Sequence, residues 1–131
     1  VTLIEAIVAI VIVSVAAPPL LVALREAHRH RTAPVQADRA RWLAAERLEQ
    51  VIADRNSSVR GWAYLAESNY PAESGVEGFQ GFSRVVQIRE TGASLSGTGS
   101  GYKVVTVRVS WADAGGSKSA EVATVLTEYP S

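Results

Sequence analysis

Residues 1–24 read VTLIEAIVAIVIVSVAAPPLLVAL, an apolar run interrupted near its start by a single acid, Glu5. This stretch decides the fold, because nothing so uniformly apolar serves as a surface element of a small globule. As an unbroken helix rising 1.5 Å per residue it would reach roughly 36 Å, against a hydrocarbon thickness of ~30 Å. It is long enough to span a membrane. A secretory signal peptide has a basic start, a shorter apolar core and a small-residue cleavage site. Here the chain begins directly on the apolar run, so any leader is expected to have been removed already. Pro18 and Pro19 stand late in the run, where each removes a backbone donor and the second restricts the first, so the pair is expected to break the helix as a kink or a locally melted turn. Lipid or surrounding protein tolerates such a break.

Outside this run, roughly a hundred residues remain, enough for a modest core. Trp42, Trp62, Trp111, Phe79 and Phe82 are its expected large fillers. Thirteen basic and thirteen acidic residues cancel over the 131-residue chain, so no overall field draws in nucleic acid or a strongly charged substrate. With no cysteine there is no disulfide framework, no thiolate metal site and no cysteine nucleophile, and the redox compartment is not legible.

Four zones follow. After residues 1–24, the segment 25–55 begins with a basic junction, REAHRHRTAPVQ, and continues as ADRARWLAAERLEQVIADR. In the latter, Ala37, Ala40, Ala44, Leu48, Val51 and Ile52 recur at helical spacing with Arg and Glu between them, the pattern of an amphipathic helix that continues the first. Thr32 with Pro34 marks either a fresh helix start or a bend. Residues 56–78 lose periodicity and gather Asn, Ser, Gly and Pro, reading as a long loop that carries Trp62, Tyr64 and Tyr70. Residues 79–131 are β. FSRVVQIRE is a strand and TGASLSGTGSG a connection; YKVVTVRVSW puts Val105, Val107, Val109 and Trp111 on one face. ADAGGSK is a turn, and SAEVATVLTE places Ala120, Val122, Thr124 and Leu126 on one face. The economical architecture is α+β: a long N-terminal helix, apolar then amphipathic, whose second half packs on an antiparallel sheet of three to four strands.

The opening TLIEA, followed by an apolar stretch, an amphipathic continuation and a C-terminal antiparallel sheet, resembles the type IV pilin superfamily, which includes the pseudopilins of type II secretion. The order of elements matches over the whole chain. The specific part is Thr2, Leu3, Ile4 and Glu5, which stand as the family's mature N-terminus has them. ARWLAAERLE and VTVRVSW look like the helix and sheet of V-type minor pilins and I-type minor pseudopilins. The chain departs from the pattern in beginning with Val1 where relatives most often have Phe or Met. Its proline pair comes about a turn earlier than the single proline of many relatives, and without cysteine the disulfide-bonded C-terminal loop of many major pilins is impossible. The resemblance implies N-methylation of Val1 by a prepilin peptidase. It also implies storage in the inner membrane, and extraction by an inner-membrane assembly machine into a periplasmic pseudopilus or an extracellular pilus.

Physical chemistry gives Glu5 its interest. A carboxylate near the middle of a bilayer costs ~2.5 to 3.5 kcal/mol on insertion scales. Glu5 lies only about a turn in, so its cost is smaller, but no basic residue precedes Arg25 and its own helix offers no cation. The resemblance supplies one: the α-amino group at Val1 of a neighbouring copy. An apolar bundle coheres without register, because one ridge fits another nearly as well when slid by a turn, whereas a single buried ion pair penalises the wrong stagger. Val1, Thr2, Leu3, Ile4 and Glu5 are therefore the expected assembly surface. The competing reading of Glu5 is an idle acid solvated in the headgroup layer.

Other motifs carry less. Arg25, Arg29 and Arg31 can touch lipid headgroups or acids of neighbouring subunits, or form a plain solvated face. Charge bias in membrane topology places such a basic end in the cytoplasm, while the pilin resemblance places it outside. His28 and His30, two apart on a helix, point to nearly opposite sides and lack a third ligand. SGTGSG opens no helix and has no lysine, so it is a surface loop and not a phosphate cradle. Asp113 before AGG is a turn residue, since a calcium loop needs more than one acid. Trp62, Tyr64 and Tyr70 either pin the loop to the core or form a contact patch. No serine, histidine or carboxylate constellation supports catalysis, and no cofactor or metal is expected.

Two functions follow as expectations. The first is a structural subunit of a pilin-like helical filament, with partners that are copies of itself or related subunits, the assembly machinery, the peptidase and, before assembly, membrane lipid. The second is a single-pass membrane anchor carrying a small periplasmic binding domain that never polymerises.

Overall fold

The computed structural model describes residues 2–128, apart from the side chains of Arg29 and Thr32. The chain divides into two compact units, one ending at Val35 and the other beginning at Gln36. The first helix, α1, is assigned over Leu3–Asn56.

In the first unit the helix runs through Pro18, Pro19 and Pro34 without a non-helical residue. Of the outcomes expected at the proline pair, local melting is therefore not adopted, and Pro34 does not open a fresh helix. Ser14 donates its hydroxyl to the Ile10 carbonyl at 2.7 Å, which gives its polar group a partner on its own helix. Every described side chain of residues 3–24 is exposed.

In the second unit α1 contributes one stripe to a core. Ala40, Leu43, Ala44 and Val51 are fully buried and Ala37 and Leu48 pack at its margin, the i, i+3, i+4 spacing of a single helix face. Four antiparallel strands receive it: β1 Glu73–Val76, β2 Phe79–Thr91, β3 Tyr102–Asp113 and β4 Gly116–Thr127, in the order β1-β2-β3-β4. The sheet thus has four strands. β1 falls inside the segment read from sequence as loop, together with a short helix α2, Gly61–Tyr64, and a 3-10 turn, Glu67–Asn69. β1 has only four residues, ESGV, too few to generate a visible alternation; its pairing with Ser83 and Arg84 of β2 is what makes it a strand.

β3 is the centre of the sheet. Val105, Val107 and Val109 are fully buried and Trp111 nearly so, while Ala120, Val122 and Leu126 of β4 pack beside them, as the alternation predicts. The β3–β4 turn closes on Asp113, whose Oδ1 accepts the Gly115 N–H at 2.7 Å, and on Gly116, whose φ of +110° suits glycine. Asp113 is the last residue of β3 and caps a turn shorter than the ADAGGSK stretch read from sequence.

Two expected core residues lie elsewhere: Trp62 is half-buried outside the core cluster, and Trp42 faces away from it. Trp42 is 59 % exposed, whereas its neighbour Leu43 is 1 % exposed. Two residues at 100° each set Trp42 on the far side of the helix from Ala40 and Ala44. Its ring meets only the edge of the core, 6.1 Å from that of Phe79.

Candidate functional site

The stretch Thr2-Leu3-Ile4-Glu5 begins α1, and its polar groups close on one another. The Thr2 N–H donates to Glu5 Oε2 at 2.9 Å, and the Glu5 N–H donates back to the Thr2 hydroxyl at 3.2 Å. The threonine hydroxyl also lies 3.5 Å from the same carboxylate oxygen. This is a capping box, in which Thr or Ser at the cap and Glu or Gln three residues on satisfy two of the N–H groups that a helix start leaves open. The helix dipole adds a favourable field at that end for a negative charge. Glu5 therefore has partners inside its own helix, which reasoning from formal charges alone had missed. The signal was present as T-x-x-E directly before an apolar run.

Leu3 and Ile4 of the expected assembly surface point to solvent, 78 % and 73 % exposed. They head a longer surface on which Ile7, Val8, Ile10, Val11, Ile12, Val13, Val15, Leu20, Leu21, Val22 and Leu24 are all exposed. Helix length and composition suffice to cross a membrane, which makes membrane anchoring through residues 3–24 the coarse reading of this unit. Val1, with the methylation proposed for it and the amine assigned to pairing, lies outside the described residues.

No family model matches this chain, and no curated protein or solved structure matches it either.

The sheet unit gathers its charges into three structural clusters. Arg84, 4 % exposed on β2, forks onto Glu73 of β1 through Nε and Nη2 and donates from Nη1 to the Leu43 carbonyl of α1 at 3.0 Å. Glu46 approaches the same guanidinium at 3.7 Å. The hydrogen bond from Arg84 holds the Glu73 carboxyl below its ordinary value, against a smaller opposing effect of burial. One side chain thus fastens the short edge strand, the sheet and the helix together.

Lys103, also buried, donates to the carbonyls of Trp62 at 3.0 Å and Leu65 at 2.8 Å and sits 4.6 Å from the centroid of the Trp62 ring. Its ammonium gives the Leu65 carbonyl, just past α2, a donor and adds a second to the Trp62 carbonyl, which already accepts the Leu65 N–H at 3.2 Å. Tyr70 donates its phenol to Asp54 Oδ2 at 2.7 Å, and Arg60 engages Asp54 Oδ1 at 2.6 Å while lying over the Tyr64 ring. Burial, and then the bond to Asp54, push the Tyr70 phenol well above its ordinary value.

Tyr70 belongs to the second unit's core and Tyr64 packs against it, while Trp62 is held by Lys103. Both carboxylate oxygens of Asp54 accept a hydrogen bond at the side of a groove of about 360 Å³ lined also by Arg47, Gln50, Arg60, Tyr64 and Tyr70. The described residues include no group of three or more His, Cys, Asp or Glu placed to hold a metal ion.

Proposed function

We propose that this chain is a structural subunit of a pilin-like helical filament, stored in a membrane through residues 3–24 and assembled through the same surface. The observation that carries the reading is the conjunction at the helix start: a surface of exposed aliphatic side chains with one carboxylate, at position 5, at its head. In a bilayer the capping box keeps that acid from being bare. In a filament, the Glu5 oxygens accept an additional cation, the α-amino group of a staggered neighbour, because a carboxylate has about four lone-pair sites and the Thr2 N–H uses only one. Leu3 and Ile4 would flank the contact, and Val1 would carry the amine.

A second reading, a single-pass anchor that never polymerises, is favoured by one observation: Glu5 already has hydrogen-bond partners at home and does not require another chain. Electron microscopy of material sheared from cells that express the chain, with mass spectrometry of its N-terminus, separates the two. Filaments containing the chain with a methylated N-terminus are expected. Chain found only as dispersed membrane protein would end the filament reading.

A further inference from the structure

Immediately past the apolar surface, Arg25 and Arg31 are exposed, and neither has a hydrogen bond or ion pair among the described residues. In the sheet unit Arg55, Arg60, Arg84, Arg89 and Arg108 each engage a carboxylate or a carbonyl, whereas the exposed Arg39 of α1 does not among the described residues. The sequence places a third arginine at 29 and one acid, Glu26, in the same stretch, leaving two net positive charges in residues 25–31. Glu26 and His28 have interactions of their own.

Geometry narrows what such a pair of guanidinium groups can meet. Six residues of helix set Arg25 and Arg31 about 120° apart around the axis and roughly 9 Å apart along it. A protein partner packs along one stripe of a helix and would reach one of them, whereas a lipid layer surrounds the helix and reaches both. Depth agrees as well. The 22 residues from Leu3 to Leu24 rise roughly 33 Å, close to the ~30 Å hydrocarbon layer, so Arg25 falls where the headgroups begin. A headgroup layer of about 5 to 7 Å, with the reach of an arginine side chain, also takes in Arg31.

We infer that Arg25 and Arg31 form a collar that binds anionic phospholipid headgroups in the leaflet at the C-terminal end of the span. The inference rests on the proposal that residues 3–24 cross a bilayer. It adds the chemical class of lipid held there. The phosphate and the net charge of a lipid such as phosphatidylglycerol offer the acceptors the two guanidinium groups lack, and a zwitterionic lipid offers them without net attraction.

The test uses the full chain reconstituted in phosphatidylcholine bilayers with trace spin-labelled phosphatidylglycerol or phosphatidylcholine, reading the motionally restricted lipid by electron paramagnetic resonance. A preference for phosphatidylglycerol of roughly fivefold or more is expected at low salt, the weight usual for a basic residue near an anionic surface. It should fall towards one at about 1 M salt, where the screening length shrinks to ~3 Å. The double variant Arg25→Gln, Arg31→Gln should lose the preference, while Arg41→Gln, in the sheet unit, should retain it. Equal restriction of both lipids by the unaltered chain, or a preference that survives the double substitution or high salt, would overturn the collar while leaving the span intact. Restriction of neither lipid would mean that residues 3–24 do not sit in the bilayer, and the inference would fall with that reading.

Discussion

Glu5→Gln and Thr2→Ala separate two jobs that one carboxylate can do. A capping box accepts Gln in place of Glu, because the side-chain amide oxygen can take the Thr2 N–H bond that now measures 2.9 Å. Glu5→Gln should therefore leave the helix start intact apart from about 0.3 to 1 kcal/mol of lost charge–dipole attraction. Thr2→Ala does the reverse: it removes the hydroxyl that accepts the Glu5 N–H and keeps the charge. Its cost falls on the helix start, about 0.5 to 2 kcal/mol for loss of a cap.

If Glu5 also meets the amine of a neighbour, removing its charge leaves that amine buried and unpaired, a loss of about 3 to 5 kcal/mol per contact. Converted to concentration, this raises the threshold for assembly roughly 150- to 5,000-fold for Glu5→Gln, while Thr2→Ala shifts it far less. Two measurements read the two jobs independently. Sedimentation of filaments formed on detergent dilution gives the assembly threshold, and amide hydrogen exchange at residues 3–6 in micelles gives the integrity of the helix start. The expected pattern is crossed: Glu5→Gln protected but unassembled, Thr2→Ala exchanging faster but still assembling. Normal assembly of Glu5→Gln would refute the interchain role and leave Glu5 as a helix cap.

Two further predictions concern the sheet unit. Arg84→Met should destabilise it by roughly 2 kcal/mol, the loss of a buried pair reduced because Glu73 is partly exposed, measurable by thermal unfolding. Since the folded Glu73 carboxyl lies below its ordinary 4.5, the unfolded chain takes up the proton first on acidification. The associated stability is thus complete above about pH 5 and is lost as pH falls through the folded value, a dependence that Arg84→Met should flatten. Leu43→Ala should cost about 2 to 5 kcal/mol by urea unfolding, and Trp42→Ala much less despite its larger side chain; equal losses would contradict the helix phase described above.

Much of the architecture was legible in the chain itself. The apolar run, the alternation in β3 and β4 and the stripe of Ala40, Ala44, Leu48 and Val51 each repeat a simple period over many residues, so each announces its element and its buried face. Thr2 and Glu5 were also a legible pair, since a capping box joins residues three apart and needs no distant partner. Trp42 shows where size misleads: helix phase, not bulk, decides which side chain enters the core. What only the tertiary structure decided were contacts between segments far apart in sequence. β1 is a strand because β2 lies beside it, and Arg84 is buried because Glu73 and the Leu43 carbonyl converge on it from two other elements. Lys103 is buried because the backbone turn after α2 offers it carbonyls 38 and 41 residues away. A periodic pattern is a local property that side-chain order can encode directly, whereas a polar group's partner exists only once the chain has returned to meet it.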